Sequence, residues 1–376
     1  MPVKNTTSLH IGFLAADLTH KHGWAHYSLS LIEALARSGS RLTVITTHSS
    51  PIPEIANVEI VPLLPDLEPM QRHFLARQLR VLPAVRRALS DCDLIHSAVE
   101  PYAPVAALAA ANKPLLITGH GSYVRASQMR KPPVSQIYAE ALKKGMLVCV
   151  SRYTAEQAQL ALPGIQTTVI PNGIDPGRFA SLPMLPKDGR TILSVGAVKR
   201  RKGTMELVRA VGRVRDSIPN VRCVVVGSLS MEPDYVSEIQ SEIVSLKLQD
   251  HIHLAGRVPD EELKAWYARA DIFTLPSQNI GWKFEGFGLS LLEASAAGLP
   301  VIGSRDCGAE DAIEEGVTGL LVSQHDPETG LAAAILKLLN NPELRAQMGI
   351  AGRERASHMT WDAAALQLLH VYRSLL

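Results

Sequence analysis

The stretch FEGFGLSLLEASAAGLPVIGS, residues 284–304, decides how the rest of the chain is read. Just before it, DIFTLPS (271–277) has the run of β-branched and aromatic residues of a buried strand, closed by Pro276. Residues 284–288 should therefore sit at a strand's carboxyl end. Gly286 and Gly288 flank Phe287 and permit a tight turn, and Leu289 to Ala297 are good helix material that Gly298 and Pro300 bring to a stop. A helix that opens on glycines presents uncapped backbone N–H groups and the positive end of its dipole, a combination suited to phosphate.

Two carboxylates flank that anion site: Glu285 before the turn and Glu293 in the helix. Neither has a lysine or arginine at i+4. A carboxylate beside a phosphate is costly unless hydroxyls donate to it, and sugars supply hydroxyls in pairs. The constellation points to a nucleotide sugar, with one glutamate on the ribose and one on the transferred sugar. The plainer reading is that both are acids favoured near a helix start by its dipole.

On these residues, EGFGLSLLEA resembles the double-glutamate signature of the retaining glycosyltransferases of family 4, which have two Rossmann-like domains facing a central cleft (the GT-B architecture). VGAVKRRKG (195–203), VSRYTAEQ (150–157), PNGID (171–175), ADIFTLPS (270–277) and EEGVTGLLV (314–322) resemble further motifs of the family, in its order. The resemblance runs from about Gly119 to the C-terminus and is fainter before it.

It implies an α/β fold and transfer of a sugar from a UDP- or GDP-sugar, as co-substrate, to an acceptor hydroxyl on a glycan or lipid-linked glycan. It further implies no metal, no cofactor and no protein nucleophile. Glu285 would hold the transferred sugar and Glu293 the ribose, while Gly286, Phe287 and Gly288 with Lys202 would hold the phosphates. His120 would reach the sugar from the N-terminal domain, and the backbone up to Val258 would lie against the base. Gly196 ends a strand, and the four cations after it, Lys199, Arg200, Arg201 and Lys202, are read as a diphosphate clamp. Two departures stand out. Ala197 occupies a position where the family commonly has arginine, so the second cation must be Lys199, Arg200 or Arg201. The first loop has only Gly23, followed by Trp24, where a pair of glycines is usual.

The bulk properties agree with a soluble enzyme. The 376 residues allow two domains, with 46% hydrophobic and 20% charged residues. A net charge of +2 argues against a nucleic-acid binder. Ile11 to Ala16 is too short for a membrane span, and Cys92, Cys149, Cys223 and Cys307 have no paired spacing, which points to a reducing cytoplasm. Asp91 and Asp93 form a DCD that superficially resembles a metal site, but it immediately precedes a strand and is read as structural. The rival functions are a nucleotide-sugar epimerase of similar fold and a catalytically idle sugar-nucleotide sensor.

In chain order, alternating strands and helices lead to PLLITGHGSYV, which puts His120 after a buried strand, where α/β folds place ligands. A structural histidine is the alternative there. The organisation expected is an acceptor domain over 1–175, a Pro- and Gly-rich linker over 176–189, a donor domain over 190–357, and a final helix within 358–376 that packs back on the first domain. Residues 69–90 carry Arg72, Arg77, Arg80, Arg86 and Arg87 without an acid, interleaved with apolar residues, and Pro83 is expected to divide them into two short helices. The segment is either a peripheral contact at the inner face of the membrane or a core helix whose arginines face water or acceptor.

Overall fold

The computed structural model describes residues 8–376 except Lys21, Arg72, Ser181 and Met184. It contains two compact units, one made of residues 1–173 and 361–376, the other of residues 174–360.

The first unit is built on seven strands: β1 (His10–Leu14), β2 (Arg41–Thr47), β3 (Val58–Leu64), β4 (Leu94–Ser97), β5 (Leu115–Gly119), β6 (Met146–Cys149) and β7 (Thr167–Val169). Their order is β3-β2-β1-β4-β5-β6-β7, all parallel. Helices cover the faces, so strands such as β1 and β4 are buried along almost their whole length, even at His96 and Ser97. The last helix, Trp361–Leu375, returns to this unit. Trp361 packs on Tyr27 with ring centroids 5.7 Å apart, and Tyr372 Oη lies 2.6 Å from His96 Nδ1. Asp93 accepts the His10 N–H at 2.7 Å, which ties the DCD segment to the amino edge of the sheet, opposite the ligand edge.

The second unit repeats the plan with β8 (Thr191–Val195), β9 (Arg222–Val226), β10 (Ile252–Gly256), β11 (Ile272–Leu275), β12 (Val301–Ser304) and β13 (Gly319–Val322), in the parallel order β10-β9-β8-β11-β12-β13. Strand order reverses between β1 and β4 in one unit and between β8 and β11 in the other. Such a switch point, at the carboxyl ends of the strands, is where doubly wound sheets bind ligands.

Two expectations are corrected. The stretch 176–189 is not wholly a linker: Gly177–Ala180 forms a helical turn in the second unit, with Phe179 buried and Arg178 in two ion pairs, and Ile174 bridges to Thr360. These contacts move the boundary to residues 173 and 174. In the 69–90 segment, one helix runs from Phe74 to Ala88 with Pro83 inside it. Proline removes one i to i−4 bond there, but Phe74, Gln78 and Val85 anchor both halves in the core, so it does not divide the helix.

Candidate functional site

In the second unit, the loops after β8 and β11 meet at the switch point. Gly203 makes this close approach feasible: it is left-handed (φ 71°), and a Cβ on it would stand 1.9 Å from the Pro276 carbonyl oxygen. The approach sets Arg201 and Lys202, on the short 3₁₀ turn Arg200–Lys202, against the end of β11. Glu285 Oε2 there accepts from Lys202 Nζ at 2.5 Å, Arg201 Nη1 at 3.1 Å and Ser277 Oγ at 3.0 Å.

Glu285 is only 7% exposed. Burial alone would raise its pKa, but Lys202 and then Arg201 outweigh it and hold the carboxylate at about 2. Burial, helped by Arg201, lowers the Lys202 pKa against the pull of Glu285. Lys199 is lowered likewise, by burial and by its neighbours Arg201 and Lys202, and it forms no ion pair among the described residues. Two cations thus share one buried carboxylate with a third, Lys199, near them, an excess of positive charge that an anionic ligand would relieve.

The helix Leu289–Ala296 starts beside them. Gly288, left-handed at φ 86°, is its N-cap, and no side chain caps it, which leaves its first N–H groups available. Glu293, one turn in, accepts from Arg178 Nη1 at 3.2 Å and from Tyr267 Oη at 3.0 Å, and Arg178 also pairs with Asp260. Burial raises the Glu293 pKa, opposed by Arg178.

In the first unit, His120 follows β5. Its backbone N–H donates to Glu100 Oε1 at 2.8 Å, and its Nε2 lies 2.6 Å from the Ala98 carbonyl oxygen, to which it donates. Burial lowers the His120 pKa to about 4, so the ring is neutral, with its proton on Nε2. Glu100 is fully buried; burial pushes its carboxyl up to about 8 against the backbone N–H groups, and its Oε2 has no hydrogen-bond partner among the described residues. The Tyr27 ring stands edge-on to His120 at 4.5 Å.

Glu285, Lys202 and Arg201 are therefore brought together, and Lys199 stands near them. Arg200 is not: its side chain pairs with Glu238 over the Tyr235 ring, and its N–H donates to Glu232. Gly196 (φ 159°) directly follows β8, and Gly286 lies buried in the loop before Gly288. Phe287 is 2% exposed, so its side chain belongs to the core and only its backbone is left for a ligand. Val258 follows β10, at the edge of the sheet and two strands away from β8. Gly23 opens the helix Gly23–Arg37.

In the second unit Arg178 and Tyr267, and in the first Glu100, join these groups without a motif to mark them, while Ser277 lies at the end of the motif ADIFTLPS, whose contact with Glu285 the sequence did not show. Arg178 was hidden in the expected linker, and Glu100 carried no signal beyond an acid placed after a buried strand.

Comparisons with known proteins bear on the family and the fold. The family model described as Glycosyl transferases group 1 matches residues 183–355, and that described as Glycosyltransferase Family 4 matches residues 22–178. The chain is 30% identical over 286 residues to the GDP-mannose-dependent alpha-(1-6)-phosphatidylinositol monomannoside mannosyltransferase of Mycobacterium tuberculosis strain H37Rv, covering 72% of each. It is also 30% identical over 386 residues to the D-inositol 3-phosphate glycosyltransferase of Corynebacterium efficiens, covering 92% of this chain and 89% of that one. Among solved structures, the sucrose-phosphate synthase (tll1590) from Thermosynechococcus elongatus superposes with a TM-score of 0.79 at 26% identity, covering 98% of this chain and 99% of that one. The chain belongs to the family-4 glycosyltransferases of GT-B fold, enzymes that act on nucleotide sugars.

Proposed function

We propose that this chain is a retaining, metal-independent hexosyltransferase that uses a UDP- or GDP-sugar. The observation that carries the reading is the single buried carboxylate of Glu285 shared by Lys202 and Arg201. Donor phosphates would draw both cations, and sugar hydroxyls would replace them on Glu285. Gly286, Phe287 and Gly288 are assigned the phosphates through their backbone and the helix start, with Gly196 and Lys199 beside them. Glu293 is assigned the ribose, Val258 the base through its backbone, and His120 the transferred sugar.

In the step proposed, the bond from the anomeric carbon to the phosphate oxygen breaks and its electron pair leaves with the diphosphate. The acceptor oxygen bonds to the same face, and its proton passes to the departing phosphate. The chain's contribution is charge stabilisation of the leaving group, a kind of contribution that can be worth several kcal/mol.

The relatives' names, with their GDP-mannose donor and inositol-containing acceptors, support a mannosyl donor and a lipid-linked or cyclitol acceptor. A protein that works beside the membrane fits this reading. No helix among the described residues is long and apolar enough to cross a membrane. The arginines and apolar residues of 69–90 make that segment the candidate contact.

The test is to incubate the protein with GDP-mannose and, separately, UDP-glucose, with myo-inositol or phosphatidylinositol vesicles, and to read the product's anomeric coupling by NMR. An α-product from the α-linked donor supports retention, and a β-product overturns it. An epimerised donor formed without acceptor would mean an epimerase, and no turnover of either donor would mean a sensor.

A further inference from the structure

Trp24 stands where the family usually has a second glycine, and neither donor binding nor the proposed transfer step uses it. It lies on the first turn of the helix Gly23–Arg37, directly after the loop that leaves β1 at the switch point. The ring is half-buried, with its centroid 5.4 Å from that of Tyr123 and 6.4 Å from that of His120. An indole held in this way is a rigid, partly open apolar plate with a negative face.

The same loop carries polar atoms suited to hydroxyl groups. Asp17 is 27% exposed at its side chain. Its Oδ2 accepts from Thr19 Oγ1 at 3.2 Å and lies 3.3 Å from His22 Nε2, while its Oδ1 is buried and has no hydrogen-bond partner among the described residues. His22 caps the helix by accepting the Ala25 N–H at Nδ1, which leaves its ring proton on Nε2, facing Asp17. Asp17, Thr19 and His22 are therefore tied to one another, and the second Asp17 oxygen keeps acceptor capacity for a hydroxyl that can reach it.

We propose that Trp24 is an acceptor-binding residue that stacks on the C–H face of a six-membered polyol ring, a hexopyranose or a cyclitol, whose hydroxyls are met by Asp17 and the neighbouring histidines. Such a ring has an apolar face of C–H bonds and a rim of hydroxyls, which matches an aromatic plate at the start of a helix whose preceding loop carries a carboxylate. An acyclic alcohol has no such face. Trp24 belongs to the unit that carries neither the phosphate cations nor the two glutamates, and the transferred sugar is already assigned to Glu285 and His120, so the Trp24 ring is assigned to the acceptor. The proposal rests on the assignment of His120 to the reacting sugar.

The experiment compares the wild-type protein with Trp24→Phe, Trp24→Leu and His120→Ala, each checked for an unchanged melting temperature. The acceptors are myo-inositol and methyl α-mannopyranoside, with glycerol as the acyclic control. Kinetics are measured with GDP-mannose or UDP-glucose, whichever is turned over. Contact with the ring C–H protons is read by saturation-transfer NMR in the presence of the matching nucleoside diphosphate.

Trp24→Leu should raise the acceptor KM by about tenfold and abolish the ring C–H signal, a loss of the size an aromatic contact contributes. Trp24→Phe should raise it only about two- to threefold, and the donor KM should stay the same in both. The proposal is overturned if Trp24→Leu leaves the acceptor KM and the NMR signal unchanged while His120→Ala abolishes turnover. It is equally overturned if neither ring compound gives a signal with the wild type, or if glycerol gives the same one. If His120→Ala turns over normally, the site assignment has failed, and the NMR comparison alone then decides the stacking.

Discussion

Lys202 Nζ stands 2.5 Å from Glu285 Oε2, and the same oxygen takes Arg201 at 3.1 Å. A carboxylate held by two cations and a hydroxyl has no freedom to wander, which is what preorganised stabilisation of a transition state requires. Glu285→Ala should therefore lower kcat by roughly 10²- to 10³-fold with little change in donor KM. Glu293→Ala should chiefly raise the donor KM. Equal and small effects in steady-state kinetics would mean that both are ordinary helix-start acids.

Lys202 is assigned the diphosphate, so its loss should be felt in proportion to ligand charge. Calorimetry with Lys202→Ala should show nucleoside diphosphate binding weakened by about tenfold or more and free nucleoside hardly affected, since the lost contact is charge-assisted. Activity should survive EDTA. Complete loss in EDTA, restored by manganese, would sink the cation clamp and bring Asp91 and Asp93 back as ligands.

Arg178 links Glu293 to Asp260, and its side chain is 28% exposed. Arg178→Ala leaves the part-buried Glu293 with Tyr267 alone, and should cost about 1–3 kcal/mol in denaturant unfolding of the second unit. Arg178→Lys should recover only part of that, because one ammonium cannot reproduce the two-way fork. Unchanged stability in both would mean that the pair is without energetic weight.

Three buried groups of the first unit set opposing pH trends. Burial lowers His96 to about 3 and His120 to about 4, so the stability they contribute is full above about 6.5 and lost as pH falls towards those values. Glu100 is raised from 4.5 to about 8, so its contribution is full below 4.5 and lost as pH rises through 8. Melting temperature should peak near pH 6.5, because below it the two histidines together outweigh Glu100 and above it only Glu100 still changes. Glu100→Gln should flatten the alkaline side, and an unchanged profile in that variant would exclude Glu100 as its cause.

The helix Phe74–Ala88 shows what remains of the basic segment. Arg77 is neutralised by Glu68 at 2.5 Å, and Arg86 donates to the Leu108 carbonyl oxygen. Arg80 and Arg87 are exposed, and so is Met70, at 59%. Arg72 lies outside the described residues. If the segment touches anionic lipid, co-sedimentation with phosphatidylserine vesicles should occur at low salt, fall at high salt, and fall when Arg80 and Arg87 are both replaced by glutamine, at about 1 kcal/mol per charge. Wild-type protein that stays in the supernatant at low salt would rule the membrane contact out.

The sequence by itself determined the alternating α/β plan, the glycine-spaced turn into the helix at Leu289, and the pairing of Glu285 with Glu293 around it. Strand runs, glycines and acids are local signals, and each can be read within a few residues. Tertiary structure alone decided which charges meet. Residues 200, 201 and 202 share one short 3₁₀ turn, where successive side chains point about 120° apart. Arg200 accordingly turns to Glu238, while Arg201 and Lys202 reach Glu285, more than eighty positions away. Arg178 finds Glu293 across 115 positions in the same manner. Nothing in the spacing of the motifs encodes these partners, because they are set by which strands neighbour the switch point and by how closely Gly203 lets two loops approach.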